Sequence, residues 1–137
     1  MNVRPGAYIV RNNRLLTLKY TYPGGIIHAL PGGNLERGEE LKAALERELQ
    51  EELGIRCAPG SLLHVAEVLY QGENTIHFIF DCPDFSGELE INPEETRAEE
   101  IVWLPVDQLD YFTLYPNLGR CRPETPVFLG VIQQPRY

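Results

Sequence analysis

Residues 32–55 read GGNLERGEELKAALERELQEELGI, and this stretch decides the fold. Leucines recur at every fourth position from Leu41 to Leu53, which is the spacing of an apolar stripe along one side of a helix. Gly54 follows the last leucine, at the position where a glycine commonly ends a helix. The pattern therefore predicts a helix over Glu39–Leu53 that follows a glycine-containing turn and packs its leucines against a sheet.

Three glutamates of this helix, Glu48, Glu51 and Glu52, are spaced three and four residues apart and so share one face. Glu48 and Glu52 form a like-charge pair, which destabilises an isolated helix, and the helix dipole disfavours anions in the last turns. This arrangement is typical of a cation site, and ligands that are all oxygen favour Mg²⁺ first and Mn²⁺ second. The alternative is a solvated acidic face, which is the usual fate of surface charge.

The same stretch resembles the Nudix box, the sequence signature of the Nudix hydrolases. The matching positions are Gly33, Glu39, Arg47, Glu48, Leu49, Glu51, Glu52, Gly54 and Ile55. The resemblance implies an α+β fold of the Nudix type, which is an α/β/α sandwich with a mixed β-sheet and a loop–helix–loop catalytic motif. The box covers only about a sixth of the chain, so the remaining residues need a separate interpretation.

The resemblance also implies roles for residues of the box. Glu48, Glu51 and Glu52 would hold one to three metal ions, and Gly33 would add its backbone carbonyl as a further ligand. Arg47 would pair with a box glutamate and hold the acidic cluster in place. The general base would be Glu51, Glu52 or a downstream glutamate, and members of the family differ on this point.

Candidate substrate ligands lie outside the helix. Lys19 at the end of a predicted strand and Arg37 in the loop before the helix are candidates for phosphate contacts, with a surface position as the alternative for each. Tyr115 and Asn117 form an aromatic–amide pair that could stack on a base and hydrogen-bond to its edge. The alternative for Tyr115 is packing beneath the C-terminal segment.

Two further acids, Glu99 and Glu100, precede Trp103 by four and three residues. Some relatives place an acid near this position that returns to the site as an extra metal ligand or as the general base. Both residues are therefore candidates for that role. The alternative is a polar loop that leads into a strand.

Apolar runs and turn signals predict strands on both sides of the helix. The predicted strands are Ala7–Val10, Leu15–Lys19, Ile26–Leu30, Leu62–Tyr70, Thr75–Cys82, Glu88–Ile91 and Ile101–Leu104. A short helix is predicted over Pro105–Leu109, and the pattern over Pro126–Ile132 fits either a strand or a helix.

Composition and charge limit the classes of function. A chain of 137 residues is long enough for one domain with a core, predicted over residues 1–137. The net charge of −8 argues against an extended nucleic-acid surface and favours a small nucleotide whose phosphates are neutralised by metal. The N-terminus lacks the pattern of a signal peptide, and no apolar run approaches the roughly 18 residues of a membrane span.

Location and assembly follow from similar arguments. Three widely spaced cysteines are typical of a reducing compartment, so a cytoplasmic location is predicted. Nudix domains of this size often dimerise, so a homodimer is also expected.

The predicted function is Mg²⁺-dependent cleavage of a pyrophosphate bond in a nucleoside diphosphate linked to another group. A mutator-like nucleoside triphosphate pyrophosphatase is the first alternative, because the same residues would serve it. A non-catalytic Nudix-fold nucleotide-binding module is the second alternative, although such a module would be expected to have lost acids of the box. Substrate choice depends on residues outside the box, and the markers of several subfamilies are missing or poorly matched here.

Overall fold

The computed structural model describes residues 1–118 and 127–133, which form two mixed β-sheets, one α-helix and one 3₁₀ helix. The strands are β1 (Asn2–Tyr8), β2 (Val10–Arg11), β3 (Arg14–Tyr22), β4 (Gly25–Ala29), β5 (Leu62–Tyr70), β6 (Glu73–Asp81), β7 (Glu100–Pro105), β8 (Leu114–Tyr115) and β9 (Phe128–Gln133). The helices are α1 (Leu41–Leu53) and the 3₁₀ helix (Val106–Tyr111).

Both sheets combine parallel and antiparallel pairs. In the first sheet the order is β1-β6-β5-β9, with β6 and β5 antiparallel and the two outer pairs parallel. In the second sheet the order is β2-β3-β4-β8, and β7 also pairs with β3. Only the β4–β8 pair is parallel. The predicted α+β class with a mixed sheet is confirmed.

Helix α1 begins two residues after the predicted start because the chain is still extended at Glu40, where φ is −79° and ψ is 150°. It ends as predicted at Gly54, which adopts the left-handed conformation with φ 68° and donates its N–H to the carbonyl of Gln50. The leucine stripe is buried against the sheets as the spacing requires.

Two apolar clusters fill the space around the sheets. The first contains Leu45, Leu49 and Leu53 of α1 together with residues of β1 and β3. The second lies beneath the 3₁₀ helix, with Leu109 at its centre. The α-helix and the 3₁₀ helix thus pack on different clusters, and the short helix predicted over Pro105–Leu109 is this 3₁₀ helix.

The predicted strand over Glu88–Ile91 is wrong. This segment crosses the C-terminal end of α1 through isolated backbone bonds, from Glu90 N–H to Leu53 O at 3.1 Å and from Asn92 N–H to Glu52 O at 2.9 Å. Its apolar side chains pack on the first cluster, which produces the alternating pattern without a ladder.

The predicted strand Ala7–Val10 is divided at Ile9, with Ala7 and Tyr8 at the end of β1 and Val10 in β2 of the other sheet. The remaining predicted strands are present, with shifted ends. Within the predicted segment Pro126–Ile132, the described part is a strand, β9, while Pro126 itself lies outside the described residues. Cys121 also lies outside them. In residues 1–118 and 127–133, no helix has the length and apolarity that crossing a bilayer demands.

Candidate active site

The loop before α1 is fixed on β1 and brings Gly33 against Glu48. The N–H of Gly33 donates to Pro5 O at 3.4 Å, and the N–H of Leu35 donates to Val3 O at 2.9 Å. A Cβ atom at residue 33 would overlap the Glu48 carboxylate. Only glycine therefore lets the backbone of this loop approach that carboxylate so closely.

Arg47 forms hydrogen bonds to three acids of the box. Its Nε and Nη2 donate to the two carboxylate oxygens of Glu39 at 2.8 and 3.0 Å, a bidentate pair. Its Nη1 donates to Glu48 and to Glu51, each at 3.0 Å. The hydrogen bond to Glu39 raises the pKa of Arg47, and the same bond lowers the pKa of Glu39. Arg47 therefore fixes three carboxylates before any ligand arrives.

Glu52 lies outside this network and is the most perturbed acid of the site. Burial raises the pKa of Glu52, the hydrogen bond and negative charge of Glu48 act in the same direction, and the resulting pKa is about 8. In the metal-free protein Glu52 therefore holds a proton at neutral pH and shares it with Glu48. A divalent cation replaces such a proton, which is the usual coupling between metal binding and carboxylate titration.

The oxygen donors at this site suit a hard cation, although the side chains do not converge on one point. Glu48 and Glu52 offer carboxylate oxygens beside the backbone of Gly33, and oxygen donors suit Mg²⁺ and Mn²⁺. Among the residues that the structure describes, no group of three or more His, Cys, Asp and Glu side chains converges on one point. The carboxylates of Glu48 and Glu51 instead both accept hydrogen bonds from Arg47.

An aromatic cluster lies next to these acids and consists of Tyr20, Tyr22, His77 and Tyr115. The rings of Tyr20 and Tyr22 stack with centroids 6.3 Å apart, and the ring of His77 meets that of Tyr115 edge-on at 5.1 Å. Tyr20 packs on the apolar cluster that contains the leucines of α1. Burial raises the pKa of Tyr20, a hydrogen bond to Thr96 lowers it, and the negative charge of Glu52 also raises it. The side chains of Tyr20 and Glu52 are therefore close to each other.

The structure does not bring Lys19 and the acids Glu99 and Glu100 to Glu52. Side chains alternate along a strand, so Lys19 lies on the face of β3 opposite to Tyr20. There its Nζ pairs with Glu100 at 3.1 Å, while the hydroxyl of Thr21 donates to Glu99 at 3.0 Å. These acids thus bind groups of β3 instead of extending the acidic face of the helix.

The remaining predicted substrate ligands differ in how far they are buried. Tyr115 is half-buried within the aromatic cluster, and its backbone carbonyl accepts the N–H of Leu30 at 3.0 Å. Asn117 is exposed two residues later, and Arg37 is exposed in the loop before α1. Tyr115 therefore contacts His77 and Arg4 from its position on β8, whereas Asn117 and Arg37 are at the surface.

Arg4 is the residue of this site that the sequence did not single out. It is half-buried on β1, its Nη2 donates to Gly32 O at 3.4 Å, and its guanidinium lies 5.9 Å from the centre of the Tyr115 ring. It also acts electrostatically on Glu52. In the sequence, Arg4 is a charged residue shortly before the apolar part of a strand. That pattern does not reveal which side chains Arg4 will contact in the fold.

Comparisons with known proteins show the family to which the chain belongs. The model of the family described as NUDIX domain matches residues 2–124. The MutT NUDIX hydrolase from Burkholderia pseudomallei shares 33% sequence identity and a TM-score of 0.69, with 77% of this chain and 84% of that chain covered. The chain therefore belongs to the Nudix family.

Two curated relatives differ in how much of each chain the match covers. The human protein named 8-oxo-dGDP phosphatase NUDT18 is 35% identical over 77 residues, which is 56% of this chain and 23% of the human chain. The protein named nucleoside triphosphatase NudI from Enterobacter sp. (strain 638) is 29% identical over 120 residues, with 80% of each chain covered. This chain spans less than a quarter of the length of the NUDT18 proteins that it matches.

Proposed function

We propose that this chain is a Mg²⁺-dependent hydrolase that cleaves a pyrophosphate bond in nucleoside diphosphate-linked substrates. The observation that carries this proposal is the placement of the Glu48 carboxylate against Gly33, beside a buried Glu52 whose pKa is raised to about 8 by burial and by Glu48. Arg47 pairs with Glu48, but no arginine or lysine of the described residues forms an ion pair with Glu52. The arrangement instead leaves two neighbouring acids for a cation from solution.

The metal would be held by Glu48 and Glu52, with the carbonyl of Gly33 and with Glu51 after its carboxylate turns from Arg47. When bound, Mg²⁺ supplies charge neutralisation for the diphosphate and lowers the pKa of a coordinated water. Mn²⁺ has the same preference for oxygen ligands and is the expected substitute.

The chain's own residues position the reaction. Arg47 holds Glu48 through a bond at 3.0 Å and keeps the bidentate pair with Glu39, so Glu48 needs little reorganisation when substrate binds. Glu51 or Glu52 takes the proton from the attacking water, because both lie on the face that carries the phosphates. Phosphoryl transfer depends mainly on such positioning and on charge stabilisation.

The nucleoside end would lie on the aromatic cluster. Tyr115 offers a ring on which a base can stack, and Asn117 offers a donor and an acceptor for the base edge. Lys19 and Arg37 stay weaker proposals as phosphate ligands, since Lys19 pairs with Glu100 on the opposite face of β3.

A nucleoside triphosphate pyrophosphatase is the second candidate. The relative named nucleoside triphosphatase NudI, which matches over most of its length, favours this reading of the substrate. The partial relatives named 8-oxo-dGDP phosphatase favour a nucleoside diphosphate. The two candidates differ only in what is attached to the nucleoside diphosphate.

A substrate panel separates the candidates. Purified protein is incubated with nucleoside diphosphate sugars, dinucleotides, ADP-ribose, nucleoside diphosphates, 8-oxo-dGDP and nucleoside triphosphates, each with Mg²⁺, with Mn²⁺ and with EDTA. The proposal expects metal-dependent release of a nucleoside monophosphate or phosphate from a diphosphate-linked compound. Cleavage of triphosphates alone would select the second candidate, and binding without turnover on every compound would select a non-catalytic module.

We further propose that residues 1–137 act as one Nudix domain, that the protein works in the cytoplasm and that it forms a homodimer. Cell fractionation tests the location. Light scattering coupled to size-exclusion chromatography tests the dimer.

A further inference from the structure

Arg4 lies half-buried on β1, and no acid of the described residues pairs with its positive charge. Its hydrogen bond is to a neutral carbonyl, that of Gly32, at 3.4 Å. It forms no ion pair with an Asp or Glu among residues 1–118 and 127–133. A guanidinium has five N–H donors, and removing it from water is costly unless an anion pairs with it. Most of this donor capacity is therefore still available to a ligand.

The guanidinium lies between the acidic face and the aromatic cluster. On one side its Nη2 donates to the carbonyl of Gly32, the residue next to Gly33, whose backbone lies against the Glu48 carboxylate. On the other side it lies 5.9 Å from the centre of the Tyr115 ring, within the range of a cation–π contact. Arg4 is therefore close both to the acids that would hold metal and to the ring that would stack on a base.

His77 supports this position from the neighbouring strand. It is the register partner of Arg4 on β6, it is buried, and its ring meets Tyr115 edge-on. Burial and, to a smaller extent, the charge of Arg4 lower the pKa of His77 to about 3, so His77 is neutral. Its Nε2 has no hydrogen-bond partner in the described part of the chain. Of the two side chains, Arg4 therefore carries the positive charge and His77 carries none.

We propose that Arg4 binds the phosphate group nearest to the nucleoside and so positions the substrate between the metal site and the base. The proposal rests on the proposed function, because it takes a nucleotide as the substrate. In this arrangement the base would stack on Tyr115, and the phosphates further from the nucleoside would lie at the metal site of Glu48 and Glu52. The first phosphate would lie between these two places, where it would contact Arg4. A nucleoside monophosphate keeps this phosphate, so the same contact holds the product after cleavage.

The test is a thermodynamic cycle between the Arg4 side chain and the phosphate of a ligand, measured in EDTA so that turnover plays no part. Affinities are measured by calorimetry for AMP, GMP, CMP and UMP and for the four corresponding nucleosides. The proteins are the wild type, Arg4→Gln, Arg4→Met and the control Arg14→Gln. Arg14 is exposed at the start of β3, so its variant makes the same charge change at a distance from Tyr20 and Tyr22.

For the nucleoside that binds best, the phosphate should improve affinity for the wild type and for Arg14→Gln by about tenfold or more. In the Arg4 variants the gain should fall below about threefold, while the affinity for the nucleoside itself stays unchanged. Melting temperatures identify a variant that fails to fold, and either folded Arg4 variant decides the outcome.

An equal gain from the phosphate in the wild type and in a folded Arg4 variant would overturn the proposal. So would the absence of any monophosphate binding to the wild type at millimolar concentration. The cycle is independent of the substrate panel. An Arg4-dependent gain without hydrolysis would remove the proposed function alone, whereas hydrolysis without the gain would remove the role of Arg4 alone.

Discussion

The carboxylate of Glu48 occupies the space that a side chain at Gly33 would need. The two residues lie fifteen positions apart in the sequence, one in a loop held on β1 and the other on α1, and they meet because the loop is bonded to the backbone of Pro5. This contact sets how close an acid of the helix can come to the backbone of the loop.

Gly33→Ala should therefore impair metal binding more than folding. The added Cβ would displace the Glu48 carboxylate, which is the movable end of a flexible side chain, so the melting temperature should change little. The stabilisation by Mg²⁺ and the turnover should both fall by about tenfold or more. In a Glu48→Ala background the same substitution should add almost nothing, and full additivity of the two changes would contradict the contact.

Glu52→Gln should lower kcat by several orders of magnitude without loss of fold. The variant removes the acid that is buried beside Glu48, and an amide cannot give the anionic oxygen that a metal requires. Because burial and Glu48 keep Glu52 protonated in the metal-free protein, the metal-free melting temperature should be equal to or higher than that of the wild type. Glu46→Gln, an exposed position on the same helix, is the matched control. Near-normal turnover in a folded Glu52→Gln protein would refute the assignment.

Mg²⁺ should raise the melting temperature of the wild type in a concentration-dependent way, since a ligand of the native state stabilises it by mass action. The shift should be much smaller in the double variant Glu48→Gln, Glu52→Gln. Differential scanning fluorimetry across a Mg²⁺ titration measures both. Equal shifts in the two proteins would place the metal elsewhere.

Tyr115→Ala should raise KM for nucleotide substrates by roughly tenfold, because a stacking contact is worth about 1–3 kcal/mol. Turnover at saturation should change less, since the acids that hold the metal are untouched. Tyr115→Phe keeps the ring and should behave as the wild type. A Tyr115→Ala protein that melts much lower but keeps its KM would show that the ring serves the core, where it meets His77.

Acid should destabilise the fold partly through His77. Burial lowers its folded pKa to about 3, below the value of about 6.5 for an unfolded chain, so the unfolded state binds more protons between these values. The contribution of His77 to stability is therefore complete above pH 6.5 and is lost as the pH falls, by about 2 kcal/mol at pH 5. Urea unfolding at pH 8 and pH 5 should show a smaller loss in His77→Leu than in the wild type. The same loss in both proteins would rule out this contribution.

The helix and its acids could be predicted because their pattern is local. Four-residue spacing and a terminal glycine are sufficient to define α1, and the box resemblance names the residues that meet Gly33. The site beyond the helix depends on contacts between strands that are distant in sequence. Arg4 reaches Tyr115 only because β1 and β8 lie in facing parts of the two sheets, and no local pattern contains that information.

The placement of Lys19 and Glu100 shows the same limit. Both residues carry charges suited to a phosphate or metal site, and sequence distance alone does not decide which face of a strand they occupy. Once β3 and β7 pair in register, the two side chains lie opposite each other and form an ion pair. A one-residue difference in register would have reversed their faces.

The loop before α1 also closes an open edge of the protein. β1 is the outer strand of the first sheet, and residues 31–35 bond to its backbone at Val3, Pro5 and Ala7. A free strand edge is a template for pairing with another chain, which leads to aggregation. The segment that carries Gly33 thus covers this edge as well as contributing to the site, so we expect substitutions that loosen the loop to promote aggregation even where they leave the acids in place.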